Sequence, residues 1–233
     1  MDTEEAKEGE EEFDVIIVGA GPVGSYLAGK LGERGINVGV FEQRAKEHVR
    51  EELGLIHFDV HSYHDLGIPR PTKESGIIVN TFEDMWQVPK DEELKFAVPY
   101  ENDIVLMNPF NQWIIDHANQ HDNVQFHFYA KVENAVVDDV GVAKDSEKRK
   151  AIVGVSLSTG KKVKAKLVVD ATGRRANVRN KLPESMGLPK LATREQRMFT
   201  VYMQKWRREE EFPQGSNTYV CYKGFANQCG ENL

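Results

Sequence analysis

The chain has 233 residues, of which 40% are hydrophobic, and its formal net charge is −7. This length allows one large domain or two small ones, and the apolar content is enough for a sizeable core. No basic stripe with interleaved aromatic residues is present, which excludes the usual footprint of a nucleic-acid-binding protein. The sequence has no run of about 18 apolar residues, the length that predicts a membrane-spanning helix.

The negative charge is concentrated at the N-terminus. Residues 1–12 contain seven acidic residues and one lysine, and we predict that they form a disordered acidic arm. Such a start is unlike a signal or transit peptide. The two cysteines, Cys221 and Cys229, fit neither a zinc pattern nor a disulfide framework. These features predict a cytoplasmic protein.

A strand, a glycine turn and a helix follow one another directly after this arm. Residues 13–18 are mostly apolar, as in a strand that is buried on both faces of a parallel sheet. The sequence GAGPVG follows, and residues 23–34 have helical periodicity. Backbone N–H groups at such a helix N-terminus bind phosphate. Gly19 would allow the turn, Gly21 the approach of a pyrophosphate, and Gly24 the close packing of the helix.

The next predicted strand, residues 37–42, ends in Glu42, an acid at the spacing of roughly 20 residues that the dinucleotide fingerprint requires. Its carboxylate can accept hydrogen bonds from ribose hydroxyls. A glycine turn that only packs is the alternative, and the motif by itself does not separate FAD from NAD. In the polar loop 43–50, Arg44 and Arg50 are candidates to bind the pyrophosphate, with solvated surface arginines as the alternative.

Two helices are predicted beyond this loop. Residues 53–66 have helical spacing and end at a glycine, which would place His57, His61 and His64 on one helix face. A metal site is one interpretation of these histidines. Because a complete ligand motif is missing, we favour a polar surface and predict no metal. Residues 108–121 form the second helix.

The remaining strand candidates are short. Those between the two helices predict an antiparallel insertion away from the first sheet, and those that follow predict a β-meander with a charged loop at residues 145–150. They are residues 76–79, 85–88, 96–98 and 104–107, then 124–129, 132–137, 151–157 and 163–169, and finally 198–206 and 218–225.

The meander ends in a second sharp signal, the apolar run that leads into Asp170-Ala171-Thr172-Gly173. Together with GAGPVG, it resembles the FAD-dependent oxidoreductases of the glutathione-reductase superfamily, such as aromatic hydroxylases, flavin halogenases and geranylgeranyl reductases. The resemblance implies an α/β fold, with a Rossmann-like FAD-binding domain (parallel sheet and β-meander) and a partial antiparallel β substrate domain. The implied divisions are the arm 1–12, the FAD-binding domain 13–74 and 108–182, and the substrate domain 75–107 and 190–233.

The resemblance also implies a site for FAD. The pyrophosphate would lie on the glycine turn, the adenosine ribose on Glu42, and the segment from Asp170 close to the cofactor, while Arg50 resembles the arginine near the flavin phosphates. The predicted cofactor-binding residues are Gly19, Ala20, Gly21, Pro22, Val23, Gly24, Glu42, Gln43, Arg44, Arg50, Val132, Asp170, Ala171, Thr172 and Gly173.

The sequence departs from the family pattern in two places. Compared with the DGxxSxxR segment of the hydroxylases, Thr172 replaces the aspartate and Ala176 the serine, a form that looks more like the reductase and halogenase branches. The Gly-Asp pair that meets the ribityl phosphate in the family does not occur in the 233 residues. The chain therefore looks C-terminally truncated.

The predicted function is that of an FAD-binding oxidoreductase, monooxygenase- or reductase-like, that acts on an apolar or aromatic small molecule. NADH and NADPH are the candidate electron donors, and no residue stands out as catalytic. A non-catalytic nucleotide-binding remnant that lacks the flavin end is the main alternative. An NAD-binding domain is a third, although such a domain would continue with alternating strands and helices where this sequence predicts a meander. The oligomeric state is left open.

Overall fold

The structure is a computed structural model, and it describes residues 11–51, 54–88, 96–142, 145–189 and 218–222. The predicted acidic arm up to residue 10 and the strand predicted at 198–206 lie outside these ranges. The elements in chain order are β1 (Glu12–Val18), α1 (Pro22–Gly32), β2 (Val38–Phe41), β3 (Leu55–Asp59), α2 (Val60–Asp65), β4 (Ile78–Val88), β5 (Phe96–Leu106), α3 (Met107–Ala118), β6 (Val124–His127), β7 (Val132–Val142), β8 (Asp145–Leu157), β9 (Lys162–Asp170) and β10 (Thr218–Tyr222).

The chain divides into two units, residues 1–52 with 111–196 and residues 53–110 with 197–233. The first unit contains a six-stranded sheet in the order β6-β2-β1-β9-β8-β7. Strands β6, β2, β1 and β9 are parallel, and β7, β8 and β9 form an antiparallel meander. This is the predicted fold: a mostly parallel Rossmann-like sheet that continues into a meander.

Both faces of β1 are buried, which explains its continuous apolar sequence. Ile17 belongs to the core cluster beneath α1 and α3, whereas Ile16 belongs to the cluster on the opposite face, with Phe13 and Phe41. Neither isoleucine is accessible to solvent. The carboxyl ends of β1, β2, β6 and β9 point the same way and meet at one edge of the sheet.

The second unit is built on a sheet in the order β10-β4-β5-β3. Strand β5 is antiparallel to its two neighbours, β3 and β4, and β10 is parallel to β4. The ring of Phe58 in β3 packs on Tyr63 of α2 and on Phe110 of α3, with ring centroids 4.6 and 5.2 Å apart. Residues 53–74, predicted to be part of the FAD-binding domain, contribute β3 and α2 to this unit. The functional domain boundaries proposed from the sequence remain predictions.

Two sequence-based assignments are wrong. The helix predicted at residues 53–66 is a strand followed by a six-residue helix, because all five residues of β3 pair with β5. The carboxylate of Asp59 then caps α2 by accepting the His61 N–H at 2.7 Å. His57 therefore lies on a strand and shares no helix face with His61 and His64.

The charged loop predicted at residues 145–150 is also wrong. These residues begin β8 and pair with β7. The last pair, at the end of the hairpin, is Val142 with Asp145. Cross-strand pairing sustains this hairpin although its sequence is too charged to predict a strand.

An ion pair between a buried carboxylate and a partly exposed guanidinium joins two strands of the second unit to the chain before them. Asp103 of β5 has a relative exposure of 0%, and its carboxylate accepts hydrogen bonds from Nε and Nη2 of Arg70, at 2.8 and 2.6 Å. The Thr81 hydroxyl of β4 donates a third, at 2.7 Å. Burial, followed by the charge of Asp103, raises the pKa of the neighbouring Tyr63 well above its usual value.

Replacing Arg70 by methionine tests this pair. R70M leaves the Asp103 carboxylate buried without its compensating charge, and we expect the free energy of unfolding to fall by about 3 kcal/mol. The double variant R70M/D103L removes the charge as well and should regain most of that loss. Urea unfolding followed by circular dichroism measures both. Equal stability of R70M and the unaltered chain would contradict the assignment.

Candidate cofactor-binding site

The glycine turn lies between β1 and α1, at the carboxyl edge of the first unit's sheet. Gly19 has a φ of +106°, and its N–H donates to the carbonyl of Phe41 at 2.8 Å. Helix α1 begins at Pro22, with Gly21 as the N-cap. Proline suits this first position because its missing N–H would have no partner inside the helix. The other N–H groups of the first turn remain available to a ligand.

The three glycines differ in what surrounds them. A Cβ atom at Gly19 would lie 2.7 Å from the carbonyl oxygen of Ala171, and one at Gly24 would lie 2.0 Å from the carbonyl oxygen of Gly19. A Cβ atom at Gly21 would have no neighbour within 4 Å. The first two glycines are therefore required by the packing of the chain itself. Gly21 faces open space at the helix N-terminus, where a phosphate can approach.

Ala20 is held on both of its sides. Its N–H donates to Glu42 Oε2 at 3.0 Å, and its carbonyl oxygen accepts from Ser25 Oγ at 3.0 Å and from Asn111 Nδ2 at 3.1 Å. Ser25 and Asn111 are fully buried. Sequence reasoning missed Asn111, which lies on α3, 91 residues from Ala20, and no local pattern marks it.

Glu42 follows β2, and its carboxylate lies beside the glycine turn. In addition to the bond from Ala20, Oε1 accepts the N–H of Arg44 at 3.0 Å. A carboxylate has about four acceptor sites, so Glu42 retains capacity for the hydroxyls of a ribose. The predicted partner of the nucleotide sugar is therefore close to the predicted phosphate cradle.

Asp170, at the end of β9, uses its carboxylate differently. Oδ1 accepts the N–H and the hydroxyl of Thr172, at 3.1 and 2.6 Å. Oδ2 accepts the N–H groups of Val178 and Arg179, at 3.0 and 2.8 Å. These four bonds use the full acceptor capacity of the group. Asp170 thus fixes the shape of the turn, which in turn places Ala171 against Gly19.

The other predicted residues lie along the same edge of the sheet. Arg44 follows Glu42, and its carbonyl oxygen accepts the N–H of Tyr129 at 3.1 Å. Arg50 is exposed, with a φ of +62°, and Val132 is half-buried at the start of β7. Among the hydrogen bonds between described residues, none ties Arg50 or Val132 directly to the glycine turn. The structure brings together residues 19–24, Glu42 and Ala171 through direct contacts.

The sequence that forms this site matches a known protein family. Residues 12–226 match the model of a family described as "FAD binding domain". The chain belongs to this family. FAD is therefore the cofactor, as the sequence predicted, and the Rossmann-like sheet is the fold expected of it. The open approach at Gly21 and the remaining acceptor sites of Glu42 fit the pyrophosphate and ribose of that group.

The chain is similar to several larger proteins. It is 24% identical over 183 residues to a digeranylgeranylglycerophospholipid reductase of Haloferax volcanii, and 26% identical over 180 residues to a second such reductase of Methanopyrus kandleri. Each match covers 70% of this chain but only 36% and 38% of the relatives. The chain thus spans little more than a third of the length of these curated relatives.

Solved structures share the fold at lower identity. The myxobacterial chondrochloren halogenase has a TM-score of 0.55 at 20% identity, over 72% of this chain and 39% of its own. A geranylgeranyl bacteriochlorophyll reductase-like protein of Thermoplasma acidophilum scores 0.54 at 17%, over 70% and 40%. A probable FAD-dependent monooxygenase of Pseudomonas aeruginosa scores 0.51 at 19%, over 68% and 42%.

Two further observations concern other kinds of site. No cluster of three His, Cys, Asp or Glu side chains within the described ranges could hold a metal ion. In the same ranges, no helix has both the length and the apolar character needed to cross a bilayer.

The contrast between Gly21 and Gly24 can be tested by alanine substitution. G21A places its methyl group in open space, so we expect unchanged stability, but FAD affinity at least roughly tenfold lower because the methyl blocks the approach of the pyrophosphate. G24A drives a methyl group into the backbone of Gly19 and should lower the melting temperature of the cofactor-free protein. Thermal unfolding and titration with FAD separate the two effects. A G21A protein with undiminished FAD affinity would show that the phosphate does not approach there.

Proposed function

We propose that the chain is the FAD-binding part of a flavin-dependent oxidoreductase, monooxygenase- or reductase-like, that acts in the cytoplasm on an apolar or aromatic small molecule. The observation that carries this proposal is the cradle itself. Gly21 faces open space at the N-terminus of α1, while Gly19 and Gly24 are packed against the chain and the Glu42 carboxylate lies beside them.

In this proposal the residues of the chain bind and orient the cofactor. The N–H groups of the first turn of α1 bind the pyrophosphate, helped by the helix dipole. Glu42 accepts the hydroxyls of the adenosine ribose, and Arg50 provides a cation for the phosphates. Ser25 and Asn111 hold the Ala20 carbonyl and so help to fix the shape of the turn. The flavin, when bound, supplies two-electron redox chemistry.

The nature of the substrate is proposed from the relatives. Two of them are reductases of a digeranylgeranylglycerophospholipid, and the Pseudomonas aeruginosa neighbour has been crystallised with 2-aminobenzoylacetate. The first is a lipid with isoprenoid chains and the second an aromatic acid. An apolar or aromatic small molecule is therefore the substrate class we propose, with NADH or NADPH as the electron donor.

Titration of the purified protein with FAD, FMN, ADP and NAD tests the proposal. We expect FAD to bind most tightly, because the cradle and Glu42 recognise its ADP portion and the flavin end adds further contacts. FMN, which lacks the adenosine, should bind at least about tenfold more weakly, as loss of a set of charge-assisted hydrogen bonds implies. ADP binding as tight as FAD binding would instead indicate a nucleotide-binding remnant.

Anaerobic addition of NADPH or NADH to the FAD-loaded protein tests the redox part of the proposal. Bleaching of the flavin absorbance by either nucleotide would identify the electron donor. In G21A, which we expect to bind FAD more weakly, the extent of bleaching at a fixed FAD concentration should fall with the fraction of protein that carries the cofactor. A flavin that stays oxidised with both nucleotides would contradict the choice of donor.

A further inference from the structure

His127 is a half-buried ionisable group that the proposed function does not use. It is the last residue of β6, and it pairs directly with Phe41, the last residue of β2. The two rings stack with centroids 4.5 Å apart and an interplanar angle of 8°. Phe13 of β1 meets the imidazole edge to face, at 5.8 Å. The imidazole is therefore part of the apolar core on this face of the sheet.

Among the described residues, the charged groups that face this imidazole come from two places. Glu11, just before β1, brings Oε1 to 3.6 Å from His127 Nε2. Lys161, in the turn between β8 and β9, binds the same carboxylate through Oε2 at 2.9 Å. Strand β2 contributes only the apolar ring of Phe41. Nε2 itself is shielded from solvent and makes no hydrogen bond with a described residue.

This environment favours the neutral imidazole. Burial lowers the pKa of His127 below its ordinary value of 6.5, and the Lys161 ammonium adds to that effect, while the Glu11 carboxylate opposes it. Among the described residues, the anion that faces a protonated ring is the Glu11 carboxylate, 3.6 Å away and already paired with Lys161. The cation would also lie against two phenylalanine rings, so movement of the ring out of the stack would improve its solvation.

The backbone of His127 is bonded to the residue that recognises the ribose. The carbonyl oxygen of His127 accepts the N–H of Glu42 at 2.9 Å, and the carbonyl oxygen of Glu42 accepts the N–H of Ala130 at 2.8 Å. The pairing of β2 with β6 therefore continues through Glu42. A displacement of His127 is transmitted to the peptide that carries the Glu42 side chain.

We propose that His127 is a positioning residue for cofactor binding: with a neutral imidazole it holds Glu42 in place, and protonation releases Glu42 and lowers the affinity for FAD. The inference rests on the proposed use of Glu42 as the ribose acceptor. No covalent step is involved, because the proton comes from solvent and returns to it. FAD binding by this chain therefore weakens at acidic pH, over a pH range in which the phosphates of FAD keep their negative charge.

The expected size of the effect follows from the fraction of protein with neutral His127. The apparent Kd equals the intrinsic Kd divided by the binding-competent fraction. In the limit where protein with protonated His127 does not bind FAD, Kd rises by about tenfold for each pH unit below the pKa of His127. Above pH 6.5 it is constant.

The test is the Kd of the full chain for FAD between pH 7.5 and pH 5.0, by calorimetry or flavin fluorescence. We expect the unaltered protein to lose affinity as the pH falls below 6.5 and through the lowered pKa of His127. H127F should hold at pH 5.0 the affinity that it shows at pH 7.5, because phenylalanine can stack between Phe13 and Phe41 and cannot be protonated. H64Q is the matched control: His64 is 95% exposed and lies in the other unit, and its variant should keep the pH dependence.

Two charge variants keep the test independent of the folding of H127F. E11Q removes the carboxylate that favours the cation, so the loss of affinity should move to lower pH. K161Q removes the opposing ammonium, so the loss should move to higher pH. A purely structural role for His127 would leave the pH profile in place in both variants.

The stability of the cofactor-free protein gives a readout without FAD. Because the folded state lowers the pKa of His127, protonation favours the unfolded state, and stability is lost as the pH falls from 6.5 through the lower pKa of the folded state. H127F should lose less stability over this interval. Equal pH profiles of Kd in H127F and the unaltered chain would overturn the inference alone. Absence of FAD binding at pH 7.5 would overturn the proposed function and this inference with it.

Discussion

The peptide groups on either side of Ala20 are the point on which the first unit depends. Four separate segments meet there: the Glu42 carboxylate accepts the N–H, the side chains of Ser25 and Asn111 donate to the carbonyl, and Ala171 packs against the preceding Gly19. A buried peptide group left without partners is costly. Satisfying this one fixes β2, β9 and α3 relative to the turn, and so builds the phosphate cradle as a by-product of folding.

Backbone strain is found at the carboxyl edge of the first unit's sheet, where the glycine turn also lies. Within the described residues, the non-glycine residues with positive φ are Arg50, Tyr129 and Ala176. Each follows the carboxyl end of a parallel strand, after β2, β6 and β9 respectively. Such conformations cost roughly 1–3 kcal/mol each and cluster at functional sites, and ligands of open α/β sheets bind outside the carboxyl ends of strands. Strain and topology therefore indicate the same binding edge as the glycine motif does.

The parts of the fold that the sequence predicted are those whose cause is local. The order of strand, glycine turn and helix in residues 13–34 follows from periodicity and turn chemistry within a few residues. The helix assigned to residues 53–66 failed because β3 owes its extended form to pairing with β5, about fifty residues away. The loop assigned to residues 145–150 failed for a different reason: these residues pair with the neighbouring strand β7, but their charge hides the strand pattern. Asn111 could not be found at all, since its partner is chosen by tertiary packing.

Counting hydrogen bonds separates two acids that the sequence treats alike. Glu42 directly follows β2 and Asp170 is the last residue of β9, so both lie at the carboxyl end of a parallel strand, and both were predicted to meet the cofactor. Asp170 accepts four hydrogen bonds from its own turn, which exhausts a carboxylate, whereas Glu42 accepts two. An acid with acceptor sites remaining beside an open cradle is suited to bind a ligand. An acid whose acceptor sites are filled by the chain is suited to hold the shape of the turn that the ligand meets. Here the two acids lie at the ends of β2 and β9, the strands on either side of β1 and its glycine turn.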